Sequence, residues 1–265
     1  MYDFAYQKPA SVAEAVKLLA TEPEAKAIAG GQTFIPVLKQ RLNKPTSVID
    51  LAGLGLSGIS VTGQALTIGA MTTHATVARS AEVRKAIPGL ANLASWIGDN
   101  QVRHRGTIGG SLANNDPSAC YPAAVLALGA VIKTNKRAIK ADDFFQGMFT
   151  TALEPDELIT AVEFPLPVEK SAYEKFRQPA SRYAMVGVFV AKGPAGVRVA
   201  VTGAGQGGVF RVPEMEAALA KSWSPDAIAA IKVSPDGLNS DIHGSAAYRA
   251  HLITVMARRA VSAAA

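Results

Sequence analysis

The reading of this chain turns on Ala29-Gly30-Gly31-Gln32-Thr33-Phe34. Ala25 to Ala29 predict a short strand, and Phe34, Val37, Leu38 and Leu42 then repeat at helical spacing up to Pro45. A glycine pair at a strand–helix junction lets the backbone approach a ligand closely and reach φ > 0. Its N–H groups, with the helix N-terminus, form a cradle for an anion. A second pair lies in Thr107-Ile108-Gly109-Gly110-Ser111-Leu112-Ala113-Asn114, after an irregular basic stretch. Neither carries the lysine of a P-loop. One such loop alone reads equally as a tight turn. Two, each flanked by hydroxyl or amide side chains, point to one extended diphosphate ligand held from two sides.

Outward from the first pair, residues 1–50 read as strand, helix, strand, helix, strand. Ser11 with Glu14 makes a capping box for a helix whose apolar face is Val12, Val16 and Leu19. Val48 to Leu51 is the third strand. A hairpin over 59–69, helices near 73–87 and 89–97, an apolar helix Pro122–Leu128, a hairpin Ala130–Lys140 and a strand Glu157–Phe164 follow. Pro165-Leu166-Pro167 marks the domain boundary. Beyond it, Met185–Ala191 and Val197–Thr202 pair across Gly193–Gly196, and helices are expected near 213–221, 224–231 and 245–262. Two stretches match G-x-G-x-x-G, Gly53–Gly58 and Gly203–Gly208, but extended sequence follows each where the dinucleotide fingerprint needs a helix to open. Both therefore read as turns, which disfavours a Rossmann nicotinamide enzyme.

Composition narrows the function further. The 265 residues are 49% hydrophobic and carry a net charge of +6, a globular balance with no apolar run long enough to span a membrane. The N-terminal residues show no basic-then-apolar signal peptide, so a cytoplasmic location is expected, with export carried by a partner's signal left open. Cys120 is the single cysteine, and the histidines at 74, 104, 243 and 251 are scattered. This chain has no thiols for an iron–sulfur cluster and no paired-ligand spacing for a metal. Its densest basic cluster, Lys133, Lys136, Arg137 and Lys140, falls on a hairpin without interleaved aromatics and reads as a solvated surface, not a nucleic-acid platform.

Ala29–Pro36, Ile68-Gly69-Ala70 and Arg105–Asn114 together resemble the FAD-binding medium subunit of the molybdenum hydroxylases, the family of xanthine and carbon monoxide dehydrogenases. Asp116-Pro117, Asp156–Ile159 and Phe176-Arg177-Gln178 extend the resemblance over essentially the whole chain. It implies an α+β architecture. A PCMH-type FAD-binding domain over 1–168, in two α/β lobes of about 1–52 and 53–168, is followed by a smaller C-terminal α+β domain over 169–265. It also implies a relay, in which substrate is oxidised at a molybdenum centre on a large subunit. Electrons then pass through clusters on a small [2Fe-2S] ferredoxin-like subunit to FAD on this chain, and on to an external acceptor. A dimer of such heterotrimers is the expected assembly.

Carried over residue by residue, the resemblance gives Ala29, Gly30, Gly31, Gln32, Thr33 and Phe34, with Thr107, Gly109, Gly110 and Ser111, to the pyrophosphate. It gives Asn114 and Asp116 to the ribityl or phosphate region. Ile97 falls near the flavin, Leu158 or Ile159 by the adenine or the ring system, Arg177 near the isoalloxazine, and Tyr183 serves as a lid or as core. Where many members have Asp, this chain has Cys120, which puts that contact in doubt. An isolated buried cysteine is ordinarily a small apolar residue, so FAD is expected to be non-covalent. The flavin supplies the redox chemistry, and no catalytic acid, base or nucleophile is assigned to the protein. The alternatives are a stand-alone FAD oxidase or dehydrogenase and, from a different class, a non-enzymatic basic binding protein.

Overall fold

The computed structural model describes residues 1–264. Three sheets occupy consecutive stretches of chain. In the first, β1 (Ala5–Gln7), β2 (Lys26–Ile28) and β3 (Ser47–Asp50) are all parallel in the order β1-β3-β2. The intervening helix Val12–Thr21 starts as its sequence dictates: the Glu14 N–H donates to Ser11 Oγ, and the Glu14 carboxylate accepts from the Ala10 N–H. Its core is small, Ala15, Ile49 and Leu51 with Leu158 contributed from further along.

The second sheet is antiparallel, β4 (Ile59–Thr62), β5 (Ala65–Gly69), β6 (Val131–Thr134), β7 (Ala138–Lys140) and a later strand. A short ribbon, β8 (Phe145–Gly147) and β9 (Thr150–Thr151), precedes that strand, β10 (Ile159–Pro165), and the order is β4-β5-β10-β6-β7. Helices between β5 and β6 cover it. Leu66, Ile68, Leu90, Leu93, Val125 and Phe164 are all fully buried there, so the alternation of β5 and the apolar faces of the helices meet in one core.

The third sheet is an antiparallel meander of β11 (Lys170–Arg177), β12 (Ala184–Gly193), β13 (Gly196–Thr202) and β14 (Phe210–Arg211). One face packs on the helices Pro213–Lys221 and Ala246–Ala263 through Val186, Val188, Val199 and Val201. The other carries Tyr173, Phe189 and Ala200 into the core of the second sheet. Burial on both faces explains why β12 reads as an unbroken apolar run.

Four sequence expectations are corrected. The region 73–87 is two helices, His74–Arg79 and Ala81–Ala86, because Ser80 takes extended backbone and caps the second through the Val83 N–H. The basic stretch before the second glycine pair is a helix, Asn100–Arg105, capped by Asp99; with Val102 as its only aliphatic residue it has no periodicity to read. The second glycine pair lies inside the first turn of a helix, Ile108–Asn114, capped by Thr107. The element expected at 224–231 is a single 3-10 turn, Pro225–Ile228.

Candidate functional site

The two glycine loops meet. A Cβ on Gly30 would stand 2.7 Å from the Arg105 carbonyl carbon and from Gly106 Cα, so only glycine lets the first loop lie on the second. Gly110 faces the same junction, where an added Cβ would meet Thr107 Oγ1 at 2.9 Å and Ala29 Cβ at 3.4 Å. Gly109 lies on Ala70, its Cβ position 2.6 Å from that of Ala70, which brings the Ile68-Gly69-Ala70 stretch beneath the loop.

The loops differ in what they leave free. Among the described residues, the backbone N–H groups of Gly30, Gly31, Gln32, Thr33 and Phe34 find no protein acceptor; the first bond of the following helix runs from Ile35 N to Gly31 O. In the second loop the donors from Ile108 to Ser111 are spent on the scaffold. Ile108 N–H goes to Thr72 O, Gly109 N–H to Ala70 O, Gly110 N–H to Thr107 Oγ1 and Ser111 N–H to Thr107 O. The expectation that both pairs offer an N–H cradle and φ > 0 therefore holds for the first, where Gly31 has φ +71, and not for the second, whose glycines keep helical backbone. There the missing side chains serve close packing, and what the second loop presents is polar side chains, with Ser111, Asn114 and Asp116 all half-buried.

A second group of predicted residues gathers where β11 crosses the helix termini. Ile97 follows the C-cap residue Trp96 of the helix Pro88–Ser95 and is half-buried. Tyr183 is 49% exposed, at the end of the loop into β12. Partial burial, and then the charges of Asp116 and Cys120, raise its phenol above the ordinary tyrosine range. Cys120 is buried at the start of the helix Tyr121–Ala127, with its Sγ 3.5 Å from Lys175 Nζ. The segment Pro117–Ala119 is tied to the third sheet, since Thr202 Oγ1 lies 2.8 Å from Pro117 O and 2.7 Å from Ala119 O, and the Gly203 N–H donates to Pro117 O.

Other predicted residues stand apart. Leu158 is buried against Ile49 and Leu51, joining the first two sheets, and Ile159 lies in the second core. Arg177 is exposed, just past a register shift at the end of β11. Arg103 donates to the Ile97 and Gly98 carbonyls, so of the trio Arg103, His104 and Arg105 only the latter two are exposed. In the basic hairpin, Lys136 pairs with Glu154 and Asp156, and Arg137 with the buried Glu157. Arg137 holds that carboxyl down at about 2, aided by Thr134 and the Glu154 N–H against the cost of burial. Both fingerprint matches are turns leading into strands.

Sequence reasoning missed Asn115 and Lys175. Asn115, left-handed at φ +42, donates from Nδ2 to the Gly147 and Thr150 carbonyls and fixes the β8–β9 ribbon beside the second loop. Its position at the end of a small-residue run was the available signal. Behind the loop, His74 is buried against Tyr121, and burial followed by the charge of Arg103 lowers its imidazole to about 4. Among the described residues, no group of three or more His, Cys, Asp or Glu side chains is placed to hold a metal ion, and no helix is long and apolar enough to cross a membrane.

Known proteins share this sequence pattern and this fold. Residues 2–167 match the family described as FAD binding domain in molybdopterin dehydrogenase. The chain is 39% identical to the nicotine 6-hydroxylase medium subunit of Paenarthrobacter nicotinovorans, over 97% of this chain and 95% of that one. It is 35% identical to the carbon monoxide dehydrogenase medium chain of Afipia carboxidovorans, over 98% and 96%. Its fold superposes on quinoline 2-oxidoreductase from Pseudomonas putida with a TM-score of 0.87 at 30% identity, covering 98% of this chain and 96% of that one. A Cu,Mo-CO dehydrogenase gives 0.87 at 32% identity, covering 99% and 98%.

Proposed function

This chain belongs to the FAD-binding family of the molybdopterin dehydrogenases and is the flavin-carrying, electron-transferring subunit of a molybdenum hydroxylase; from that premise we propose how its residues hold the cofactor and what it docks against. The observation that carries the assignment of the site is the contrast between the loops. The acceptor-free N–H groups of Gly30 to Phe34 are pressed by the Gly30–Arg105 contact against a loop whose N–H groups from Ile108 to Ser111 are already bonded. Such an array suits a diphosphate, whose oxygens accept from backbone donors. The first loop thus takes the pyrophosphate. Thr107, Gly109 and Gly110 shape its far wall, and Ser111, Asn114 and Asp116 contact the phosphate or ribityl part. Ile97 and Tyr183 flank the ring system, and Arg177 contributes a nearby positive charge from the surface. Leu158 supports the site from the core.

Bound there without a covalent link, the flavin supplies the redox chemistry, accepting electrons from iron–sulfur clusters and releasing them to an external acceptor. The protein's part is to bind, orient and shield it. The chain works as the medium-type subunit of a multi-subunit complex. Its partners are a small [2Fe-2S] subunit and a large molybdopterin-binding subunit, in a dimer of heterotrimers in the cytoplasm. The domain division falls at 168, with lobes of about 1–52 and 53–168.

Acid precipitation tests the cofactor assignment. FAD is expected in the supernatant in one-to-one ratio with the chain. Colour kept in the washed pellet, or FMN in the supernatant, refutes it. The isolated chain is expected to bind FAD without oxidising aldehydes, purines or N-heterocycles, whereas the complex purified with its partners reduces this FAD when substrate is added. Turnover by the isolated chain at the rate of the complex would favour a stand-alone oxidase.

A further inference from the structure

Lys175 is 6% exposed in the middle of β11, and none of its partners is a carboxylate. An ammonium has three donors. Here one goes to Trp96 O at 2.8 Å, one to Arg182 O at 2.9 Å, and the third points to Cys120 Sγ at 3.5 Å. The partners come from three separate segments: the C-cap of the helix Pro88–Ser95, the loop between β11 and β12, and the N-cap of the helix Tyr121–Ala127. A cation at a helix C-cap is also favoured by the helix dipole. Opposite Lys175 in the register stands Gly187, where an added Cβ would lie 3.0 Å from Tyr173 Cζ, so the sheet leaves room for this inward face.

The two carbonyls matter because each belongs to the residue just before one predicted to flank the ring. Trp96 precedes Ile97, and Arg182 precedes Tyr183, with Arg182 held at φ +63. The spacing of Ile97 and Tyr183 is fixed through one buried nitrogen. We propose that Lys175 is the positioning residue of the flavin ring, its ammonium tying the Trp96 and Arg182 carbonyls so that Ile97 and Tyr183 stand at the separation the ring requires. The inference rests on the FAD assignment above and deepens it: the first glycine loop holds the phosphates, and Lys175 sets the ring end without touching them.

The test compares FAD with ADP, which carries the pyrophosphate and lacks the ring, on the flavin-stripped 265-residue chain. Lys175→Met keeps length and removes the donors. It is expected to weaken FAD about tenfold, a loss of ~1.4 kcal/mol, while ADP affinity stays within about twofold of wild type. The visible circular dichroism of the bound flavin should change, and Lys175→Arg should restore most of the FAD affinity. Unchanged FAD affinity, or equal weakening of FAD and ADP, overturns the proposal. Should Lys175→Met fail to fold by far-ultraviolet circular dichroism, Lys175→Gln is measured by the same criteria, and loss of fold in both makes the residue purely structural and overturns it too. Gly30→Ala separates the two readings, because it should weaken FAD and ADP alike. If it weakens neither, the phosphate assignment fails, whatever Lys175 does.

Discussion

Replacing Gly30 by Ala puts the central contact of the site under strain. Gly30 does not have positive φ, so alanine is compatible with its backbone and the perturbation is the Cβ alone. That atom would overlap the Arg105 carbonyl oxygen and lie 2.7 Å from the Arg105 carbonyl carbon and Gly106 Cα, all backbone and none able to rotate away. Clearing the oxygen as well as the carbons requires the loops to part by about 1 Å. Overpacking of this kind costs about 1–3 kcal/mol. Without ligand, the loops relieve it by separating; with a diphosphate between donor array and wall they must close, so the strain falls on binding more than on folding. At ~1.4 kcal/mol per factor of ten, FAD affinity should fall roughly 5- to 150-fold, while the melting temperature of the apoprotein changes little. Fluorescence titration of stripped chain with FAD reads the first quantity, and a thermal melt the second. Gly207→Ala, at a site with no atom within 4 Å of the added Cβ, is the control and should bind as wild type. Gly205 does not serve, because its Cβ would meet Gly208 O at 2.7 Å. A folded Gly30→Ala chain with wild-type affinity, or an equal loss in Gly207→Ala, would refute the convergence of the two loops on one ligand.

Arg137→Met leaves the buried Glu157 carboxylate with only Thr134 and a backbone N–H, and should lower the midpoint of urea unfolding; Arg137→Lys, with one donor group, should recover part of it. His74, lowered to about 4 from 6.5, is neutral when folded, and the unfolded chain binds the extra proton as pH falls. Stability is therefore complete above about 6.5 and declines by up to about 3 kcal/mol on the way to 4, and His74→Phe should flatten that limb of the unfolding curve. Thr202→Val removes the hydroxyl that reaches Pro117 O and Ala119 O; it should cost about 1–2 kcal/mol and weaken FAD, a change that calorimetry and titration together would detect.

Where a signal was local, the sequence carried it. The capping box at Ser11, the strand–turn–helix start around Gly30-Gly31 and the alternation of the 59–69 hairpin are each written within a dozen residues and appear as read, but the helix expected to run through Leu42 to Pro45 stops at Lys39 and leaves Leu42 exposed. The Asn100–Arg105 helix failed that test, since its start signal, Asp99, is clear but no apolar face continues from it. Two adjacent glycines argue against helix by propensity, yet Gly109 and Gly110 are helical because Thr107 caps the turn and Ala70 leaves no room for a side chain. Lys175 was hidden for a different reason. In Lys170–Arg177 several polar residues alternate with apolar ones, and nothing in the strand tells which lysine faces inward. Two of its three partners lie 79 and 55 residues away, brought to it only by the packing of helix ends against β11. Arg177, by contrast, is legible through its place in a family pattern, and it stands exposed just past a register shift.

The family match ends at residue 167, whereas the proposed site extends beyond it. The donors of Gly30 to Phe34, the Gly30–Arg105 contact and the Gly109–Ala70 contact all lie within the first two sheets. The ring end depends on β11 and the loop after it, and these belong to the third sheet. Tyr173, Phe189 and Ala200 continue the second core across that seam, and Thr202 with Gly203 fixes the segment leading to Cys120. An apolar core several residues deep resists hinge motion between its halves, because separating them exposes that surface at about 25 cal/mol per Å². On the site assignment proposed above, the C-terminal unit is a wall of the flavin site, packed closely enough that a single buried ammonium can set the position of two loops. That assignment gives phosphate affinity and ring geometry to different stretches of chain, and for that reason FAD and ADP should report on them separately.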